Sequence, residues 1–285
     1  MMSRLLPPLK CGEIIDIVLR GSVRKNSRLS TLQNEREKFL SNSRLLEEAI
    51  AKSTIDDIDE LDFFDVATEA SYIYKKYLRD IDDICDKIFS ITNGKCVYCL
   101  LGQATEIDHF FPKDIFYFLA IDPWNLVPCC GPCNRHKGKY YGVDKEGKFS
   151  LIHPYSDEKI PKFLSLDFRF CHNPKKIEFE FKYEDFEHLD GKKQERLINH
   201  LDKLRLLRCW SKYISITTFP IFCETIRNSL TIPKADKKTM SNVVRVAIKD
   251  EIKKFGDDRY NDPRYVFFCT ILGNSELMNE VIEML

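Results

Sequence analysis

The chain has 285 residues, of which 44% are hydrophobic; this composition is typical of a globular protein and excludes a disordered one. Its 44 basic residues balance its 44 acidic residues, which argues against a protein that coats nucleic acid indiscriminately, because such binding requires an excess of positive charge. No apolar stretch is long enough to span a membrane and no secretion signal is visible, so we expect a soluble, cytoplasmic protein.

The eleven cysteines are numerous for a chain of this length. An odd number without a secretion signal indicates a reducing compartment in which some cysteines hold a metal ion, rather than a framework of disulfides. Zinc is therefore the expected metal.

The first predicted region, residues 1–90, is helical after an N-terminal arm. We interpret residues 1–28 as that arm, which packs either onto the body or onto a partner, because they contain proline and basic residues without a clear hydrophobic period. Apolar residues at helical spacing predict one helix from Ser30 to Ser53 and another from about Leu61 to Phe89. The dipeptide Asn93-Gly94 predicts a turn that ends the second helix.

Two further regions follow. Residues 91–155 form a predicted module of short β-prone segments and turns, dense in cysteine, histidine, aspartate and asparagine. Residues 156–285 begin with the alternation of a half-exposed strand at Lys175–Tyr183 and continue as helices from Lys192 onward. One helix carries basic side chains that either follow a phosphate backbone or form a solvated surface: Lys192, Lys193, Arg196, Lys203, Arg205 and Arg208. The predicted fold class is mostly α with a small α+β module, flanked by N- and C-terminal helices.

Two pairs of cysteines in the middle module have the spacing of a zinc site. They are Cys96-Val-Tyr-Cys99 and Cys130-Gly-Pro-Cys133, and two such turns supply the four thiolates that tetrahedral Zn²⁺ binds. Cys129 is an alternative to Cys130, with a wider spacing. A zinc knuckle alone does not indicate catalysis, because in many small domains it only replaces a hydrophobic core.

The residues between and after these cysteines carry a longer pattern. It reads C-x2-C, then D-H-x-x-P-K, then N-L-V-P-x-C-x-x-C-N-x-x-K, and every element is present in order from Cys96 to Lys137. In these residues the chain resembles the HNH endonuclease family. The following His153-Pro-Tyr and the basic helix that ends at Arg208 look like the flanks of a bacterial subgroup found in phage defence and restriction.

The resemblance implies a ββα-metal fold, stapled by a structural zinc site of four cysteines, and an endonuclease that hydrolyses phosphodiester bonds in DNA with Mg²⁺ or Mn²⁺. Asp108 would bind that catalytic ion, and His109 would be the general base that takes a proton from water. Asn134 would be the second protein ligand of the ion, and Asn125 would tie down the loop that holds the histidine. Because adjacent residues of a strand face opposite sides, a bulge or twist is expected to bring Asp108 and His109 to one site.

Several neighbours have open roles. Arg135, His136 and Lys137 are candidates for substrate binding, with Lys137 matching the family's lysine and a phosphate contact as its expected role. His136 has a solvated helix-surface histidine as its alternative, and His153 is either catalytic or a structural hydrogen-bonding residue. The nearby aromatic side chains either stack on bases or pack in the core: Phe110, Phe111, Phe116, Tyr117 and Phe118.

Two other interpretations of function stay open. A non-catalytic zinc-knuckle module that binds nucleic acid or a protein would use the same cysteines, although it has no need for an Asp-His pair beside an asparagine. The resemblance also implies a nuclease of a Septu-like anti-phage system that acts with an ATPase partner. RNA is not excluded as the substrate.

Overall fold

The structure is a computed structural model that describes residues 5–21, 27–58, 72–74, 82–141, 151–156, 160–184, 189–229, 236–256 and 259–285. These residues are mostly helical, with two antiparallel sheets of two strands each. They fall into two compact units: the cysteine unit, within 4–158 and 189–204, and the helical unit, within 159–188 and 205–285. The predicted division into residues 1–90, 91–155 and 156–285 stays a prediction.

The cysteine unit begins with helices α1 (Cys11–Gly21), α2 (Ser27–Asn34) and α3 (Arg36–Ala51). The interpretation of residues 1–28 as an arm without a period is wrong over α1, because Ile14, Ile15 and Val18 recur at helical spacing and are fully buried. The helix predicted from Ser30 to Ser53 is confirmed, with an interruption at Glu35 between α2 and α3.

The helix predicted from Leu61 to Phe89 lies partly outside the described residues. Those that are described, residues 72–74 and α4 (Asp82–Ser90), are helical. Asn93 and Gly94 both adopt positive φ angles, 51° and 72°, and the Gly94 N–H donates to the carbonyl oxygen of Phe89 at 3.0 Å. The predicted turn after this helix is therefore confirmed.

Strands β1 (Glu106–His109) and β2 (Leu126–Cys129) form the antiparallel sheet of the cysteine unit, and α5 (Gly131–Lys137) follows directly. The last helix of this unit is α6 (Gly191–Lys203), which starts where the Asp190 side chain accepts a hydrogen bond from the Lys193 N–H. On α6, Arg196 is buried in an ion pair with Asp56, so it does not belong to the predicted basic face.

The helical unit opens with an antiparallel hairpin of β3 (Leu164–His172) and β4 (Lys175–Tyr183) in continuous register. The half-exposed strand predicted at β4 is confirmed, because Ile177, Phe179 and Phe181 are buried while the positions between them are not. Helices complete the unit: α7 (Leu206–Tyr213), α8 (Phe219–Ser229), α9 (Lys237–Lys253), α10 (Pro263–Gly273) and α11 (Ser275–Met284). Among the helices described, none has both the length and the apolar character needed to cross a bilayer.

Candidate functional site

The four predicted zinc ligands come together in the cysteine unit. The sulfur atoms of Cys96, Cys99, Cys130 and Cys133 all lie within 4.8 Å of one another. Cys129 is buried but does not belong to this group, which settles the spacing in favour of Cys130. Four converging thiols are the donor set of a structural zinc site, and this cluster could hold one Zn²⁺ ion.

Local backbone geometry builds the first half of the cluster. The Cys96 N–H donates to the carbonyl oxygen of Gly102 at 2.8 Å, and the Gly102 N–H points at the sulfur of Cys99 at 3.3 Å. A Cβ atom at position 102 would lie 3.2 Å from the sulfur of Cys130, closer than side chains normally approach. Glycine at position 102 therefore lets the first turn come close to the second.

The second half of the cluster leads from strand into helix. Cys129 ends β2, Cys130 precedes the first turn of α5, and Pro132 lies in that turn, where it needs no N–H donor. The Val97 N–H donates to the carbonyl oxygen of Pro128 at 3.2 Å and so links the first cysteine turn to β2. The four cysteines thus lie where the first turn, the sheet and α5 meet.

Asp108 lies on β1 and is almost completely buried. The Tyr98 hydroxyl donates to its Oδ2 at 2.7 Å, and the Lys137 ammonium lies 3.0 Å from the same oxygen. Burial raises the pKa of Asp108, while the Lys137 charge and the Tyr98 hydrogen bond oppose that rise. Oδ1 lies 3.4 Å from the Lys137 ammonium, farther than Oδ2 does, and the His109 backbone also hydrogen-bonds to this carboxylate.

His109 is also buried, but it has different neighbours. Its Nε2 lies 2.9 Å from the carbonyl oxygen of Ala120, and its ring meets that of Tyr74 edge-on at 4.3 Å. A carbonyl oxygen can only accept a hydrogen bond, so Nε2 carries the proton and Nδ1 has the lone pair. Burial lowers the pKa of His109 to about 3, which keeps the ring neutral.

The predicted bulge between Asp108 and His109 is wrong. Residues 106–109 pair one-to-one with residues 129–126 in continuous register, so the two side chains leave opposite faces of β1. Their contacts agree with this, because Asp108 meets Tyr98 and Lys137 whereas His109 meets Ala120. Among the described residues, no second group of three or more histidine, cysteine or carboxylate side chains is gathered as the four cysteines are.

Asn125 is fully buried, and its side chain binds the loop that follows His109. Its Oδ1 accepts from the Phe111 N–H at 2.7 Å, and its Nδ2 donates to the carbonyl oxygens of Phe111 and Leu119, each at 3.0 Å. These bonds connect Asn125 to both ends of the loop that carries Ala120, the partner of His109. They are the kind of contact expected of a residue that supports the histidine, a role that stays a prediction.

Asn134 lies on α5 and contacts Glu106, a residue that the sequence reasoning did not single out. The Asn134 Nδ2 donates to Oε2 of Glu106 at 2.7 Å. Glu106 precedes Asp108 by two positions on β1, so both carboxylates lie on the same face of the strand. The period-two spacing of Glu106 and Asp108 is a signal from which it could have been found.

Lys137 is directed inward, with 1% of its side chain exposed. Besides Asp108, its ammonium donates to the carbonyl oxygen of His109 at 2.8 Å. This position does not support the phosphate contact predicted for it. The Nδ1 atom of His136 lies 3.3 Å from the carbonyl oxygen of Leu204, and this contact does not support substrate binding by His136. Arg135 is exposed.

The remaining candidates serve packing in the described structure. His153 accepts the Tyr155 N–H at 3.2 Å and faces the Phe110 ring at 4.3 Å, and the Tyr155 hydroxyl donates to the carbonyl oxygen of Leu126 at 2.7 Å. These contacts fit the structural alternative for His153. Four of the five nearby aromatic residues are buried, with edge-on ring contacts that fit core packing: Phe110, Phe111, Phe116 and Phe118.

Comparison with known proteins gives short matches. No protein-family model and no solved structure matches the chain. Protein ea31 of Escherichia phage lambda is 35% identical to it over 94 residues, which are 31% of this chain and 31% of that protein. Septu protein PtuB of Bacillus thuringiensis is 36% identical over 58 residues, which are 19% of this chain and 23% of that protein. The matched segments thus span less than a third of each of these two relatives.

Proposed function

We propose that this protein is a zinc-stapled, metal-dependent endonuclease of the HNH type that hydrolyses phosphodiester bonds in DNA. The observation that supports the proposal most is the arrangement of β1, β2 and α5 around the cysteine cluster. In it, β1 carries Asp108 and His109, and α5 carries Asn134. A strand pair and a helix held by four thiolates are what a ββα-metal site requires.

The oxygen atoms of Asp108 and Asn134 are of the kind that a hard divalent cation binds. Oδ2 of Asp108 is taken by Tyr98 and Lys137, whereas Oδ1 lies farther from Lys137, and the Asn134 nitrogen is taken by Glu106, which leaves its amide oxygen. Carboxylate and amide oxygens are the ligands that Mg²⁺ and Mn²⁺ prefer. When bound there, the ion would neutralise charge at the scissile phosphate and stabilise the leaving oxygen.

In this proposal His109 accepts the proton of the attacking water at Nδ1. Its other nitrogen is held by the Ala120 carbonyl oxygen, which fixes the ring orientation and the tautomer. Burial keeps the free imidazole neutral, with a pKa of about 3, so its Nδ1 lone pair is not protonated, although this pKa makes it a weak base in the free protein. A bound phosphate would raise that pKa, because a nearby negative charge favours the imidazolium form.

Cleavage of purified nucleic acids tests the proposal. Zinc-loaded full-length protein is incubated with supercoiled plasmid, linear duplex DNA, single-stranded DNA and RNA, each with Mg²⁺, Mn²⁺ or EDTA. We expect nicked or shortened DNA with either cation and intact DNA with EDTA. Intact DNA under every condition would contradict the proposal, and cleavage of RNA alone would contradict the choice of substrate.

One observation favours a second function, a zinc-knuckle module that binds nucleic acid or a protein without cutting it. Asp108 and His109 are both buried and lie on opposite faces of β1, so neither is presented to solvent as an open catalytic pair. Such a module would retain labelled DNA in a gel-shift assay without shortening it in Mg²⁺ or Mn²⁺.

We further propose a role in anti-phage defence, based on the similarity to a Septu protein. An ATPase encoded beside the gene would be the partner of such a nuclease. Affinity purification of the tagged chain, expressed with its neighbouring genes, should recover that ATPase. Recovery of the chain alone, with full cleavage activity, would count against a required partner.

A further inference from the structure

We infer that Glu106 is a positioning residue that holds the Asn134 amide so that its oxygen, rather than its nitrogen, faces the metal ion. The inference rests on the proposed function and deepens it. Glu106 is not part of the HNH pattern described for the sequence, and its contact with Asn134 is what connects it to the site.

The contact between Glu106 and Asn134 determines whether the oxygen or the NH₂ group of the Asn134 amide points away from Glu106. An ionised carboxylate can only accept hydrogen bonds, so the atom of Asn134 that lies 2.7 Å from Oε2 of Glu106 must be the NH₂ group. The amide oxygen then points away from Glu106, and no hydrogen bond to it is found among the described residues. Without Glu106 the amide could rotate by half a turn and present NH₂, which cannot bind a cation.

Two residue pairs connect β1 to α5: Glu106 with Asn134, and Asp108 with Lys137. Glu106 and Asp108 are two positions apart on one face of β1, and Asn134 and Lys137 are three positions apart on one side of α5. Two contacts at matching intervals fix the depth at which Asn134 lies against the strand.

Gly131 makes room for the Glu106 carboxylate. A Cβ atom at position 131 would lie 2.7 Å from Oε1 of Glu106, a distance that real Cβ atoms do not show. Oε2 therefore holds Asn134 while Oε1 occupies the space that a side chain at 131 would fill. Alanine at this position would displace the carboxylate without removing it.

Binding of Mn²⁺ to full-length, zinc-loaded protein tests the inference without requiring cleavage. Electron paramagnetic resonance measures the free Mn²⁺ and hence the dissociation constant for the wild type, Glu106→Ala and Glu106→Gln. The Gln side chain keeps an oxygen that accepts from Asn134, so it is the conservative variant. Glu195→Ala, an exposed change on α6, is the matched control. Zinc content and the thermal unfolding midpoint are measured for each protein.

We expect Glu106→Ala to weaken Mn²⁺ binding by about tenfold or more, as is usual when a residue that orients a metal ligand is lost. Glu195→Ala should bind Mn²⁺ like the wild type. Glu106→Gln should weaken binding less than Glu106→Ala does, because the Gln oxygen can still accept from Asn134 while its NH₂ group also permits the reversed amide. Unchanged affinity in Glu106→Ala would overturn the inference, and so would equal losses in the Ala and Gln variants, because the retained acceptor would then have no effect. Absence of Mn²⁺ binding by the wild type would also overturn it.

If Glu106→Ala loses its zinc or unfolds, Gly131→Ala replaces it, with the same expected weakening at unchanged zinc content. Unchanged Mn²⁺ affinity in that variant would overturn the inference. The outcome is separable from the proposed function. A wild type that binds Mn²⁺, follows the expected order of variants and cuts no nucleic acid would uphold the role of Glu106 and refute the nuclease.

Discussion

The ammonium of Lys137 lies 3.0 Å from Oδ2 of Asp108, and the two side chains are 1% and 7% exposed. The ammonium also donates to the His109 carbonyl oxygen, so one lysine of α5 holds two consecutive residues of β1. Removal of one partner of a buried ion pair leaves an uncompensated charge, which costs far more than the pair itself contributes. Lys137 is therefore expected to maintain the shape of the site rather than to bind substrate.

Replacement of Lys137 tests this role. We expect Lys137→Met to lower the free energy of unfolding by about 3–5 kcal/mol, because Asp108 would be left buried without its cation. Urea denaturation measures the change. The matched control is Lys139→Met, whose ion pair with Asp114 is exposed and should contribute under about 1 kcal/mol. Equal stabilities of the two variants would contradict the role given to Lys137.

The membership of the cysteine cluster predicts which cysteine variants keep their zinc. Cys133→Ala should lose its zinc and unfold readily, since a structural zinc site contributes directly to folding. Cys129→Ala should keep its full zinc content, because Cys129 lies outside the cluster. Zinc analysis by mass spectrometry checks both variants. Zinc lost from Cys129→Ala as well as from Cys133→Ala would show that Cys129 is a ligand.

Tyr98 lies between Cys96 and Cys99 in the chain, and its hydroxyl donates a hydrogen bond to Asp108. Tyr98→Phe removes a hydrogen bond to a buried carboxylate and should cost about 1.5–3 kcal/mol of unfolding free energy, the range for a bond to a charged group. Zinc content should not change. Tyr260→Phe, at an exposed tyrosine, is the control. A Tyr98→Phe protein as stable as this control would show that the hydroxyl does not support Asp108.

The raised pKa of Asp122 leads to a prediction about how the stability of the protein depends on pH. Burial raises the pKa of Asp122 to about 7, although the Trp124 N–H donates to it at 2.9 Å. The folded state therefore keeps a proton that the unfolded state loses near pH 4, and stability falls as the pH rises from about 4 to about 7. Asp122→Asn should remove this fall, which is on the order of 4 kcal/mol.

Urea denaturation of the wild type and Asp122→Asn at about pH 5 and about pH 8 measures the effect. The titrations that both proteins share cancel in the comparison. The variant should gain stability relative to the wild type as the pH is raised. A stability difference that is the same at both pH values would show that Asp122 has an ordinary pKa in the folded protein.

Features that depend on residues close together in the chain could be predicted from the sequence. The two C-x2-C turns, the turn at Asn93 and the alternation of β4 depend on residues close in the chain, and the structure confirms them. The inward direction of Lys137 was missed, because lysine is rarely buried and its partner Asp108 lies 29 positions away.

Two other differences come from reasoning by motif. The arm interpretation gave weight to proline and basic residues and passed over the helical period of Ile14, Ile15 and Val18. The bulge was expected because the family's chemistry needs Asp108 and His109 together, whereas regular pairing with β2 keeps them on opposite faces. Strand register depends on tertiary pairing, which no short motif specifies.

The central claim is that His109 takes part in DNA hydrolysis. The decisive measurement is the rate of plasmid nicking by His109→Ala in Mg²⁺ and Mn²⁺, beside the wild type and the control His172→Ala, with zinc content and unfolding midpoints determined for all three. We expect His109→Ala to lose at least about a hundredfold in rate, as general-base catalysis usually contributes, while it keeps its zinc and fold. A correctly folded His109→Ala that nicks DNA as fast as the wild type would contradict the role proposed for His109.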